Sequence, residues 1–216
     1  MILLWIILSL VGVAAFLTIL ILQLGIERVL MALLPYFEIT KVVNGEKVVY
    51  LRRFFLWRNR HALAVSPEKR FHFNTSSGHS IYLHHILRSD DDPDPHDHPF
   101  DFTSIILRGG YFDQEWGFVP PSVDGGPGNR YQKEGTPVFP GEIVRRPASH
   151  IHRVILFSKD YGWDANGSFV SGPPTPAWTL VITGPHFRHW GFIKEDRWVY
   201  WREYLGLGPD EEYKVD

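Results

Sequence analysis

The sequence predicts an all-β domain, a sandwich or barrel of short strands, preceded by one transmembrane helix. Three observations lead there. Residues 1–25 carry no charged side chain. The remainder breaks into short runs rich in β-branched and aromatic residues, bounded by Gly, Pro, Asp or Ser. With 19 Gly and 16 Pro among 216 residues, turns and loops outweigh helix.

Within residues 1–25, Ser9, Thr18 and Gln23 are the clearly polar side chains. At about 1.5 Å per residue, such a helix spans a hydrocarbon core of roughly 30 Å. A cleaved signal would show a basic n-region before a shorter apolar run, and no basic residue stands there. The expectation is a retained single-pass anchor, with the membrane as partner. Downstream lie Arg28, Lys41, Lys47, Arg52, Arg53, Arg58 and Arg60. The positive-inside rule then puts the C-terminal domain in the cytoplasm. The sequons at Asn74 and Asn166 would matter only in a secretory lumen. Residues 29–37 are apolar but too short to span, and Pro35 interrupts them, so they read as an interfacial or packing segment.

The length suits one globular domain behind the anchor. The expected division is anchor 1–25, linker and hairpin 26–60, β-barrel domain 61–205 and tail 206–216. Lys and Arg total 22 against 24 Asp and Glu, a balance without the basic face of a general nucleic-acid binder. No cysteine is present, which excludes disulfides and thiolate metal sites. A metal would need nitrogen and oxygen ligands, and 11 histidines offer them.

The first strand pair is 39–43 and 47–51, flanking Asn44-Gly45, a favoured tight-turn dipeptide. Further strands are expected at 80–87, 102–107, 142–146, 152–157 and 178–183, with long loops at 117–136 and 158–177 and a closing helix at 197–205. No internal repeat is visible.

Two clusters carry the chemistry. In Asp94-Pro95-His96-Asp97-His98-Pro99-Phe100-Asp101, the two-residue spacing sets His96 and His98 on one face of an extended chain. In Arg146-Pro147-Ala148-Ser149-His150-Ile151-His152-Arg153, His150 and His152 again share parity. A polar loop is the bland reading of the first cluster, but two paired-histidine clusters in one chain point to a metal. Arg146 shares the parity of His150 and His152, so it either faces inward to bind an anionic substrate or is a surface charge. His84 and His85 face opposite ways on one strand, so one of them enters the barrel.

These residues resemble the cupin family, a double-stranded β-helix or jelly-roll barrel. Its first motif, His-x-His, then a carboxylate and a turn glycine, is matched in order by His96, His98, Asp101 and Gly109. Its second, Gly, five residues, Pro-x-Gly, two residues, His, is matched by Gly141, Pro147, Ser149 and His152, with Ser for the second glycine. The resemblance makes His152 the third metal ligand and His150 the alternate, and favours His84 as the inward histidine. Asp101 departs from the pattern: three residues after His98, it turns to the opposite face unless a bulge at Pro99 restores it. Residues 50–205 look closest to small cupin-like proteins of phages and bacteria with a His-Asp-His-Pro motif, a branch that brings no assigned reaction.

Histidines with one optional carboxylate suit Fe, Mn, Ni or Zn as the divalent metal. Open coordination positions would then suit a metal-dependent dioxygenase, isomerase or lyase acting on a small polar molecule. The competing expectation is a non-catalytic ligand-binding or metal-sensing module at the membrane. A 2-oxoglutarate oxygenase ranks last, because no suitable His-x-carboxylate pair stands in a strand. No residue stands out as a general acid or base, and oligomeric state is open.

Overall fold

A computed structural model describes residues 25–43, 45–57, 78–90, 94–120, 122, 128–158, 161–163 and 169–206, with Ile6, Gly12, Val13 and Thr18. The expected anchor therefore lies largely outside the described residues, as does the tail beyond 206. Among the described residues no helix is long and apolar enough to cross a membrane. Two compact units are present, residues 1–36 and 37–216.

In the first unit, helix α1 (Ile26–Leu33) starts after Gly25 and carries Glu27 in its first turn, where the helix dipole favours a carboxylate. It stops because Leu34 is extended ahead of Pro35, which disfavours helical backbone at the preceding residue.

The second unit is mostly β. Its strands are β1 (Tyr36–Val43), β2 (Glu46–Trp57), β3 (Ser80–Ile86), β4 (Phe102–Arg108), β5 (Tyr111–Val119), β6 (Asn129–Val138), β7 (Ile143–Arg146), β8 (Ile151–Leu156), β9 (Tyr161–Trp163), β10 (Phe169–Ser171), β11 (Ala177–Thr183), β12 (Gly191–Lys194) and β13 (Arg197–Tyr200). A six-stranded sheet runs β1-β2-β3-β11-β4-β7. A second sheet begins β6-β5-β8. It continues through a single residue: His96 bridges His152 of β8 on one side and Phe192 of β12 on the other. The β12–β13 hairpin thereby joins β8.

The chain passes between sheets at β4–β5, returns at β6–β7 and passes again at β7–β8. The first passage turns on Gly109, whose φ is +77° and where a Cβ would lie 2.5 Å from the Pro176 carbonyl oxygen. Between the sheets one apolar cluster forms from Leu51, Ile86, Ile106 and Ala177 of the first and Tyr111, Val138, Val154 and Leu156 of the second. Two facing antiparallel sheets with strands crossing between them are consistent with a jelly-roll barrel.

Several sequence expectations shift. The 39–51 hairpin belongs to the six-stranded sheet, because β2 pairs with β3 along Leu51–Trp57. Residues 117–136 are partly strand, because β5 runs to Val119 and β6 starts at Asn129. The closing helix shrinks to α2 (Trp201–Tyr204), since Arg197–Tyr200 pairs with β12 instead. Cross-strand hydrogen bonds there outweigh a weak helical propensity rich in aromatic and β-branched residues.

Candidate metal centre

The backbone places the histidines. His96 and His152 exchange two hydrogen bonds, His96 N–H to His152 O at 3.1 Å and the reverse at 3.0 Å. They are thus directly opposed across an antiparallel pair and share a face. His98, two residues on, donates its N–H to the Ala148 carbonyl at 3.0 Å, tying the first cluster to the turn before the second.

The side chains converge. One ring nitrogen from each of His96, His98 and His152 lies within 4.8 Å of the others. His98 Nε2 stands 2.9 Å from His152 Nε2. Ligand bonds of about 2.1 Å at 90–109° would separate neighbouring nitrogens by about 3.0–3.4 Å, close to the His98–His152 separation. Burial is the first cause that pushes the His96 pKa down to about 4, and it also holds His98 well below the ordinary value. Both imidazoles are therefore neutral at pH 7, the form that binds metal. Aromatic rings wall the triad: Phe192 and Trp190 against His96, Phe102 and Phe100 against His98.

Behind His152 sits Asp113 of β5, a residue that strand and motif reading both passed over. It faces Val154 in the β5–β8 register, so it is the diagonal neighbour of His152. At 2% exposure it is buried, with Oδ1 2.6 Å from His152 Nδ1 and Oδ2 3.1 Å from His150 Nε2. An Nδ1–H donated to Asp113 leaves the His152 Nε2 lone pair aimed at His98 and His96. Arg146 closes the group, its Nε 2.7 Å and Nη2 2.6 Å from Asp113 Oδ2. Arg146 does point inward, but its guanidinium is engaged with Asp113. Asp113, His150 and His152 also offer ligand atoms within 4.8 Å of one another, a second grouping that shares His152. Alternation at Tyr111, Asp113 and Glu115 after the Gly109-Gly110 turn is the signal that could have exposed Asp113.

The other candidates lie elsewhere. Asp101 is exposed, its Oδ1 accepting the Ala148 N–H at 2.6 Å and its carbonyl the Gly184 N–H at 2.8 Å. The structure groups it with the loop rather than with the triad. His84 faces inward opposite Thr179 and Arg53, and accepts the Arg53 Nε–H at 2.9 Å. Burial, then Arg53, drives its pKa well down. His85 faces the other way, stacked on Trp178 at 4.0 Å.

Within the His-Asp-His-Pro stretch, Asp97 is a brace. Its buried carboxylate accepts hydrogen bonds from Gly191 N–H, Arg188 and Trp198 Nε1. Asp94 does likewise for Arg130 and the Tyr204 hydroxyl. These bonds fix the short bridge that carries His96 between β8 and β12.

No family model and no curated protein matches this chain. Solved structures similar to it include cupin-superfamily proteins. A cupin-2 domain from Rhodospirillum rubrum is 9% identical over 74% of this chain and 76% of that one, with a TM-score of 0.38. A cupin superfamily protein from Desulfitobacterium hafniense is 14% identical over 50% and 67%, with a TM-score of 0.26. Hydroxypropylphosphonic acid epoxidase from S. wedmorenis is 13% identical over 71% of this chain, with a TM-score of 0.34. This chain spans 56% of that epoxidase. At such identities and TM-scores these likenesses transfer no activity, substrate or ligand set.

Proposed function

We propose that this chain is a membrane-anchored cupin-type protein in which His96, His98 and His152 hold one divalent transition metal, Fe, Mn, Ni or Zn. The carrying observation is the convergence of three imidazoles, drawn from two separate histidine clusters, on one point. When bound, the metal would supply a Lewis acid with open coordination positions. The chain's own part is positioning: Asp113 holds His152 by Nδ1, and the Asp97 brace holds the bridge that carries His96. Phe102 and Phe100 pack against His98. The function this supports best is a metal-dependent enzyme, a dioxygenase, isomerase or lyase, acting on a small polar molecule.

A second reading is a ligand-binding or metal-sensing module without catalysis. It is favoured by the acids nearest the triad: Asp113 is paired with Arg146 and Asp90 with Lys41, so neither is set up as a proton-transfer group. The anchor rests on uncharged residues 1–25, of which Ile6, Gly12, Val13 and Thr18 are helical, with Ile6 and Val13 exposed. The positive-inside rule would leave the metal domain cytoplasmic.

The test is metal content per chain after reconstitution and dialysis, for the wild type and for His98→Ala. About one metal per wild-type chain, lost in the variant, supports the site. A wild type that retains none removes it.

A further inference from the structure

Charges around the triad come in closed pairs. Asp113 is held by Arg146 at 2.6 Å. Asp90 is buried, acts electrostatically on His96, and has Lys41 Nζ at 3.9 Å. Glu115, opposite His152 across β5–β8, is met by Lys133 at 2.5 Å. Asp94 and Asp97, within the first cluster, are met by Arg130 and Arg188, and Asp101 is exposed, where water and salt screen it. Among the described residues, no carboxylate completes the His96, His98 and His152 grouping.

A divalent ion on that triad thus has three neutral ligands, and the buried acids behind them are each neutralised by a cation of the chain. Its two positive charges stay uncompensated beside the aromatic rings that line the triad. An ion in that setting gains far more from an anionic oxygen than from a neutral one, because the interaction strengthens as the local dielectric falls.

We propose that the open positions of the metal take an anionic oxygen ligand, a carboxylate or comparable oxyanion of a small molecule, in preference to a neutral one. This rests on the metal site proposed for the triad and adds the charge class of what binds there. The arrangement also assigns Arg146 a role: it is a positioning residue that cancels Asp113, so that the centre keeps its full charge.

The experiment uses the full-length chain in detergent, loaded with Co(II), at fixed pH 7 and fixed ionic strength. Cobalt per chain is measured first. A chain that binds no cobalt defeats the metal site, and the inference falls with it. The loaded protein is then titrated with acetate, its neutral isostere acetamide, and inorganic phosphate, following the Co(II) visible spectrum. Acetate should bind at least about tenfold more tightly than acetamide. Phosphate either perturbs the spectrum, which extends the site to oxyanions at large, or does not, which confines it to carboxylates. Arg146→Gln leaves Asp113 uncompensated and should weaken acetate several-fold without moving acetamide. Asp113→Asn should shift acetate the opposite way in the cobalt-loaded fraction. If Arg146→Gln does not load, Lys41→Met reads the same effect through Asp90. Equal binding of acetate and acetamide by a cobalt-loaded wild type, or charge variants that shift both alike, would overturn the proposal.

Discussion

His150 and His152 differ by two residues and by what their nitrogens meet. His152 turns Nε2 to His98 and Nδ1 to Asp113, whereas the Nε2 of His150 is spent on Asp113. On the proposed site, His152→Ala should abolish retained metal, and His150→Ala should leave most of it, both read as metal per chain after dialysis. Asp113→Asn keeps the shape but loses the anionic acceptor for Nδ1–H, and should weaken metal binding by about 10- to 100-fold in a competition titration. Unchanged affinity would show that His152 is oriented by packing alone. Proton linkage gives a third prediction. The folded pKa of His96, about 4, lies below the unfolded value near 6.5, so between those limits the unfolded chain binds a proton that the folded chain refuses. Metal-free protein should keep its stability above pH 6.5 and lose it as pH falls towards 4, by up to about 1.4 kcal/mol per pH unit for this proton. His98 and His84, also depressed by burial, act in the same direction. A urea midpoint that is flat from pH 7 to pH 5 would contradict this.

At the scale of elements, the β4–β5 passage decides whether the two sheets close on each other. Gly109 combines a left-handed φ with a place where a Cβ meets backbone, Pro176 O at 2.5 Å and Ala177 Cα at 2.9 Å. Neither neighbour can rotate away, so Gly109→Ala should cost at least about 2 kcal/mol by denaturant unfolding, a sum of conformational strain and overpacking. A loss below about 0.5 kcal/mol would mean that the β10–β11 connection yields easily. The short bridge at His96 is the other decisive element. It pairs over too few residues to hold by its ladder alone, and the side chains of Asp97 and Asp94 supply the missing bonds to β12, β13 and α2.

For the whole molecule, the compact β unit begins at Phe37, and among the described residues its apolar cluster contains none before Ile39. Removal of residues 1–35 should therefore give a folded β protein that still binds metal. The full chain, if anchored as proposed, should stay with membranes after alkaline carbonate extraction. A helical or unfolded far-UV spectrum from the truncated chain would refute the independence of the β unit. Release of the full chain by carbonate would refute the anchor.

Local pattern alone was sufficient for much of this. Runs of β-branched and aromatic residues bounded by turn residues located the core strands β3, β4, β7, β8 and β11 to within a residue or two, because those properties are carried by neighbours in the chain. Two-residue spacing, equally short-range, put His96 and His98 on one face and paired His150 with His152. Partners far apart in sequence were decided only by the tertiary structure. Asp113 became the acceptor for His152 through the β5–β8 register, across 39 residues. Arg146, open between an inward and a surface charge, was drawn into an ion pair with that same carboxylate, and Asp101 was left on the loop beside Ala148. Residues 197–200 became a strand because β12 was there to pair with them. The physical reason is common to all four: spacing determines which way a side chain points, whereas register and chain crossing determine what it meets.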